Sequence, residues 1–129
     1  MREYPFALSE NENLVIVEAM ANDYKVRLAL DTGASNTVIY LTPLLLAGCD
    51  MNKIIGTELY ETAKGNLEAH VFKLNNMSAL GEIRNDFEVS SYDFLANGVF
   101  ADIEGVLGLD FFQNKKVCID FKKFVITIS

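Results

Sequence analysis

The sequence predicts an all-β fold, either a barrel or a sandwich, with two or three short helices. Three observations carry this prediction. Several segments alternate apolar and polar residues, as half-buried strands do. Turn-forming residues separate these segments at hairpin spacing. Half of the 129 residues are apolar, which is enough for one buried core, so we expect a single domain over residues 1–129.

A hairpin is predicted near the N-terminus. An apolar run at 14–19 and an alternating segment at 24–31 flank the turn-forming pair Asn22-Asp23. The alternation predicts one buried face, with Tyr24, Val26, Leu28 and Leu30 on it and with Lys25, Arg27 and Ala29 on the other face.

A short helix should follow the β-rich stretch 36–40. Thr42 is expected to cap its N-terminus, because Pro43 then takes the first helical position, where its missing N–H is tolerated. Gly48 is expected to end the helix.

The second half of the chain predicts further strands. Residues 56–74 should form two strands joined at a hairpin tip around Lys64-Gly65-Asn66. Residues 82–91 alternate again, and residues 105–112 predict a tight apolar strand that runs into a short helix at 111–115. Two closing strands should flank a turn at Lys122-Lys123.

Charge and hydropathy exclude several partners. The formal net charge of −7 disfavours nucleic acid and anionic membrane surfaces. No apolar stretch is long enough to span a bilayer, and the N-terminus lacks a signal-peptide pattern. We therefore expect a cytoplasmic protein with no membrane partner.

Metal and thiol chemistry have little support in the sequence. Cys49 and Cys118 are expected to be free, partly buried thiols, with a disulfide or a catalytic thiol as the alternatives. His70 is the sole histidine and is expected to be an ordinary sheet residue, so a zinc site lacks ligands. No metal and no cofactor are expected.

The stretch LALDTGASNTVIY, residues 28–40, carries the chemistry. Asp31 follows an alternating strand, so a rigid element places its carboxylate, and Gly33 is expected to supply a backbone conformation that a side chain would forbid. A carboxylate in such a turn can act on a bound water. Two carboxylates in contact do this better, because they share one proton and so provide an acid and a base together.

Three segments of the chain are LALDTGASNTVI, TAKGNLEAHVFKL and GVLGLDFFQNKKVCIDF. Together they resemble the retropepsin-like (retroviral-type, single-domain) aspartic proteases, in particular the bacterial single-domain members. The resemblance implies a closed β-barrel-like retropepsin fold with a flap hairpin and an aspartic-type endopeptidase activity. It implies that Asp31 is catalytic and that Thr32 and Gly33 are structural residues of its loop, with Thr32 donating a hydrogen bond to the partner's loop. It implies substrate contacts at Ala34, Ser35, Ala63, Lys64, Gly65, Asn66 and Val106, with Ala29 and Val38 as further wall residues.

The motif occurs once, which bears on the number of chains. Asp102, Asp110 and Asp120 do not lie in the required turn, so the second carboxylate is expected to be Asp31 of another copy in a C2 dimer. The predicted function is a homodimeric aspartic endopeptidase that cleaves a peptide or protein substrate. The alternative is a catalytically silent dimerisation or peptide-binding module of the same fold.

Two departures from the retroviral pattern qualify the resemblance. Ser35 and Leu109 stand where many retroviral enzymes have an Asp–Arg pair, and both charges are absent together. Ala34 lacks the hydroxyl that a pepsin places beside its carboxylate, so a less acidic working range than a pepsin's is expected. The terminal strand 124–129 could either carry the dimer interface or close its own barrel, and the N-terminal segment 4–8 could cover an edge or carry the interface.

Overall fold

Six strands close into a barrel in the computed structural model, which describes residues 2–10, 13–62, 65–91 and 103–129. The strands of these residues are β1 (Glu3–Pro5), β2 (Ala7–Leu8), β3 (Val15–Ala21), β4 (Tyr24–Leu30), β5 (Val38–Ile39), β6 (Gly56–Thr62), β7 (Gly65–Ala79), β8 (Glu82–Ser91), β9 (Gly105–Leu107), β10 (Val117–Asp120) and β11 (Val125–Ile128). The helices are α1 (Leu41–Leu46) and the 3-10 helices Met51–Lys53 and Leu109–Phe112.

The barrel order is β3-β4-β9-β5-β8-β7, and pairing of β3 with β7 closes it. Strand β2 pairs with β3, and β6 pairs with β7 as the outer arm of a long hairpin. The predicted closed β-barrel is thus confirmed. Closure removes the free edges that an open sheet would leave to other chains.

The predicted β3–β4 hairpin is present. Asn22 and Asp23 both have positive φ angles, 47° and 70°, as the tight turns that match strand twist require. The predicted burial of β4 needs one correction, because Ala29 is buried although it faces away from Leu28. It packs with Ile16 and Ile103 in a second, smaller apolar cluster, so β4 is covered on both faces at this point.

Helix α1 begins earlier than predicted. It starts at Leu41 after Tyr40, and no side chain caps it, so the assignment of Thr42 as N-cap is wrong. Pro43 lies at the third helical position, which is still within the first turn, where N–H groups have no helical partner. The predicted end is confirmed: Gly48 has φ 94° and donates its N–H to the Leu45 carbonyl.

The central hairpins follow the prediction and extend it. Strand β7 continues to Ala79, beyond the predicted 74, and turns through Leu80 and Gly81 into β8. The structure also shortens the predicted strand at 105–112: β9 is only Gly105–Leu107, and the 3-10 helix begins at Leu109 rather than at Phe111. Gly108 between them interrupts the strand, because it turns the chain against the loop after β4.

The chain termini form a separate sheet of the order β1-β11-β10. Strand β11 is its central strand and pairs with β1 and β10 of its own chain. In this structure β11 therefore completes its own subunit, and the N-terminal residues Glu3–Pro5 cover one of its edges.

The buried apolar side chains of the barrel form one main core. It includes Phe72, Phe111 and Leu107, all almost fully buried.

Cys49 and Cys118 are free thiols, and Cys118 is exposed rather than partly buried. Burial raises the pKa of the Cys49 thiol, which disfavours a thiolate nucleophile. His70 lies in β7, as predicted for a sheet residue. No helix in the described residues has the length and apolar character needed to cross a bilayer.

Candidate active site

Asp31 directly follows β4 at the barrel surface. Its backbone N–H donates to the Leu107 carbonyl at 3.0 Å, which continues the parallel pairing of β4 with β9 by one residue. The side chain beyond this anchored backbone is exposed. The sequence prediction of a carboxylate held at the end of a rigid strand therefore matches the geometry.

The turn after Asp31 is folded onto its own carboxylate. The Gly33 N–H donates to Asp31 Oδ1 at 2.9 Å, and the Ala34 N–H donates to the Asp31 carbonyl at 3.1 Å. Gly33 was expected to adopt a backbone conformation that a side chain would forbid, but its φ is not positive; instead, a Cβ there would lie 3.2 Å from Asp31 Oδ1. Its small size thus matters because the carboxylate lies close to the backbone.

Thr32 and Ser35 lie on the exposed side of this turn, and Ala34 is half-buried. Within the described part of the chain, the Thr32 hydroxyl has no hydrogen-bond partner. The turn therefore presents a carboxylate and a hydroxyl side by side on the surface of one subunit.

Gly108 packs directly against the backbone of the turn that follows Asp31. A Cβ on Gly108 would lie 2.6 to 2.9 Å from backbone atoms of Asn36 and Ala34, so no side chain fits there. The next residue, Leu109, donates its N–H to the Ala34 carbonyl at 2.9 Å. The residues that follow β9 therefore contact the Asp31 turn through backbone atoms, which explains why position 108 must be glycine.

Asp110 and Thr37 form a polar contact that the sequence did not reveal. The Thr37 N–H donates to Asp110 Oδ2 at 2.9 Å and its hydroxyl donates to Oδ1 at 2.7 Å. The Thr37 hydroxyl in turn accepts the Gly108 N–H at 3.0 Å. The two residues are 73 positions apart, and no local sequence pattern joins such a pair.

The three predicted wall residues lie side by side on the barrel. Ala29 pairs with Val106 across β4 and β9, and Val106 pairs with Val38 across β9 and β5. Residues in register share a face of the sheet. Ala29, Val106 and Val38 therefore form one apolar row on the sheet that carries Asp31, and the row continues to Ser90, which pairs with Val38.

The predicted flap is partly described. Strands β6 and β7 pair up to Thr62 and Gly65, and Gly65 has φ 114°, which favours glycine. Asn66 is exposed on β7. The predicted flap residues Ala63 and Lys64 lie outside the described residues.

The other aspartates weighed as a second carboxylate have different surroundings. Asp110 is occupied by Thr37, as above. Asp120 accepts the N–H groups of Lys122 and Lys123 at 2.8 and 3.0 Å, and these bonds, the Lys123 bond first, hold its pKa below the ordinary value. Asp102 lies outside the described residues.

Comparisons with known proteins agree with this geometry. The family model described as aspartyl protease matches residues 17–111, which is most of the chain. Among solved structures, the chain is similar to the crystal structure of a retropepsin-like aspartic protease from Rickettsia conorii, with a TM-score of 0.74 and 24% sequence identity over 98% of this chain and 90% of that chain. No curated protein matches the chain. The structural likeness concerns the fold, and the family match covers the Asp31 turn and its supporting strand.

Proposed function

Because the chain belongs to the aspartyl protease family, we propose that it acts as a homodimeric endopeptidase whose active site contains Asp31 from each of two subunits. The observation that carries this proposal is the exposed Asp31 turn, which presents one carboxylate on the surface of one chain. A C2 axis beside that turn would bring it against its own copy.

The chemistry requires two carboxylates. At close range they share one proton, so the ionised member takes a proton from water while the protonated member donates to the substrate. The water attacks the scissile carbonyl, and the proton then passes to the leaving nitrogen. Such a pair titrates as a unit.

The surroundings of Asp110 and Asp120 support a second copy as the source of the second carboxylate. Asp110 uses both of its oxygens on Thr37, and the Asp120 carboxylate closes its own turn. The exposed Thr32 hydroxyl, which has no partner in the described part of its own chain, supports the predicted hydrogen bond to the partner's loop.

The substrate is proposed to bind as an extended peptide between the apolar row and the flap. The row of Ala29, Val106 and Val38 would contact substrate side chains, and Ala34 and Ser35 would contact the substrate near the scissile bond. Gly65 and Asn66, at the described end of the β6–β7 hairpin, would contact it from the flap. Extended peptides bind in this way by alternating side chains into pockets along a sheet.

A mixing experiment tests the shared site. Asp31→Asn should remove cleavage of a peptide library while the variant stays folded and dimeric. When wild type and this variant are re-equilibrated in different ratios at constant total protein, activity should fall as the square of the wild-type fraction, because a mixed dimer holds one carboxylate and one amide. Asp120→Asn is the matched control, and it should leave activity in proportion to total protein.

The outcomes separate the alternatives. Specific activity of the wild type should rise with protein concentration, because the site does not exist in a monomer. A monomer that cleaves peptides, or a linear response to dilution with Asp31→Asn, would refute the shared site. If folded, dimeric wild type leaves every peptide intact, the binding-module alternative holds.

The working pH stays a prediction. In the described residues, the recorded donor to the Asp31 carboxylate is the Gly33 N–H, and Ala34 offers no hydroxyl. A pepsin has a hydroxyl beside its carboxylate where this chain has Ala34, so we expect activity over a less acidic pH range than a pepsin's. A pH–rate profile checks this, and a maximum at about pH 2 would contradict it.

A further inference from the structure

A network of buried and partly buried hydrogen bonds joins the loop that follows Asp31 to the 3-10 helix Leu109–Phe112. Its hub is Thr37, which is fully buried and lies six residues after Asp31. Both donors of Thr37 are taken by Asp110, and its hydroxyl oxygen accepts the Gly108 N–H. The amide and the hydroxyl of Thr37 thus bond the helix and the residue just before it. The Thr37 carbonyl accepts the Ser90 N–H.

Hydrogen bonds from residues 107–110 hold the loop that follows Leu30 at its start, in its middle and at its end. At its start, the Asp31 N–H bonds to the Leu107 carbonyl, and in its middle the Ala34 carbonyl accepts the Leu109 N–H. At its end, Asp110 holds Thr37 with a charge-assisted pair of bonds, which are shorter and stronger than neutral ones. A displacement of the helix would therefore move the Asp31 turn with it.

Arg84 of β8 also contacts this helix. Its Nε and Nη2 donate to the Phe111 carbonyl at 3.1 and 2.9 Å, and its guanidinium lies 4.7 Å from the centre of the Phe111 ring. Glu82 fixes the guanidinium at 3.4 Å and also pairs with Lys115 at 3.3 Å. The carbonyl that follows Asp110 is thus fixed by two donors from a barrel strand.

We propose that Asp110 is a positioning residue for peptide-bond hydrolysis, which sets the place of Asp31 through Thr37 and is itself held in place by Arg84. The inference rests on the proposed function. Small errors in the position of a catalytic group can lower the rate about 100-fold, and two carboxylates that meet across an axis tolerate such errors poorly. Asp110 therefore restricts the positions that the Asp31 turn can adopt.

The test measures turnover per competent site. Sites are counted by titration with a tight-binding statine-containing peptide, and kcat and KM are measured on a fluorogenic peptide chosen because wild type cleaves it. Asp110→Ala and Thr37→Val should each lower kcat per titrated site by about 100-fold, with KM changed by less than about threefold. Thr37→Ser keeps both donors and the acceptor, so it should stay within about twofold of wild type.

Two further variants keep the test decisive if the strongest ones fold poorly. Asp110→Asn can accept the Thr37 N–H and donate to its hydroxyl oxygen, so it should fold and lose about tenfold in kcat per site. Arg84→Met covers the Phe111 ring but cannot bond its carbonyl, so it should show a smaller loss in the same parameter.

Asn22→Ala is the matched control for stability. Asn22 lies in the turn at the other end of β4 from Asp31, and its side-chain oxygen accepts the Asn76 N–H at 3.2 Å. The control should lower the thermal midpoint and leave kcat per titrated site unchanged. Unchanged kcat per site in Asp110→Ala, Thr37→Val and Asp110→Asn would overturn the inference while the proposed function stands. A wild-type dimer that cleaves nothing would overturn both.

Discussion

Strand β4 starts and ends in tight turns that are fixed by different means. At its start, Asn22 and Asp23 adopt positive φ angles and bring Ala21 opposite Tyr24, so neighbours in sequence determine the turn. At its end, the turn after Asp31 is held by residues 105–112, far along the chain. The comparison teaches that the strand is encoded locally, whereas the geometry of the Asp31 turn at its end depends on tertiary contacts.

The largest effect should come from Gly108→Ala. The new Cβ would meet Asn36 and Ala34 backbone atoms at 2.6 to 2.9 Å, and backbone cannot rotate away as a side chain can. We expect a loss of about 3 kcal/mol in the free energy of unfolding, at the upper end for overpacked sites, and loss of activity. Urea unfolding at fixed protein concentration measures it.

Gly56→Ala is the control for this substitution. Gly56 begins β6, its φ is not in the left-handed region, and a Cβ there meets nothing within 4 Å. Its stability should stay within about 0.5 kcal/mol of wild type. Equal losses in the two variants would show that the contact at Gly108 does not hold the catalytic turn.

The same contrast explains what the sequence could predict. Turn residues and alternation are short-range signals, and they correctly located the β3–β4 hairpin, the helix end at Gly48 and the β6–β7 hairpin. Asp31 was singled out as a candidate because its turn follows a clearly patterned strand. Burial of Ala29 was missed because the residues that cover it, Ile16 and Ile103, come from other segments.

The misassigned elements have the same cause. Thr42 has the chemistry of an N-cap, but α1 starts one residue before it, so a local preference was overridden. The segment 105–112 is apolar except for Asp110, and such a short run cannot distinguish a strand from a helix. Gly108 divides it where the backbone of Ala34 and Asn36 lies against the chain. The contact of Asp110 with Thr37 has no local signal at all.

A medium effect is expected at the first turn from Asn22→Ala. The substitution forces alanine into φ 47° and removes the Asn22 oxygen that accepts the Asn76 N–H at 3.2 Å. We expect a loss of about 1–2 kcal/mol with turnover per site unchanged. Asn22→Gly restores the backbone freedom without the side chain, so comparison of the two variants in urea separates the terms.

A smaller effect, of opposite sign, is expected from Asp23→Gly. Asp23 has φ 70°, and glycine is the preferred residue at the second position of such a hairpin turn. We expect stabilisation of about 0.5 kcal/mol, since relief of the unfavourable φ outweighs the added freedom of the unfolded chain. A thermal midpoint below that of wild type would contradict the local account of this turn.

The smallest effect concerns the ion pairs of Glu82 with Arg84 and Lys115, and it depends on pH. The hydrogen bond from Lys115, followed by the contact with Arg84, lowers the pKa of Glu82. A carboxyl whose pKa is lowered on folding stabilises the folded state above its ordinary pKa, and this stabilisation is lost as the pH falls through the lowered value. Glu82→Gln should therefore be slightly less stable than wild type at neutral pH, and the difference should shrink as the pH falls through the lowered pKa. Thermal midpoints of both proteins across this range, at low and high salt, test it: a difference that persists in acid would mean that packing rather than charge is lost, and salt should reduce a difference that is electrostatic.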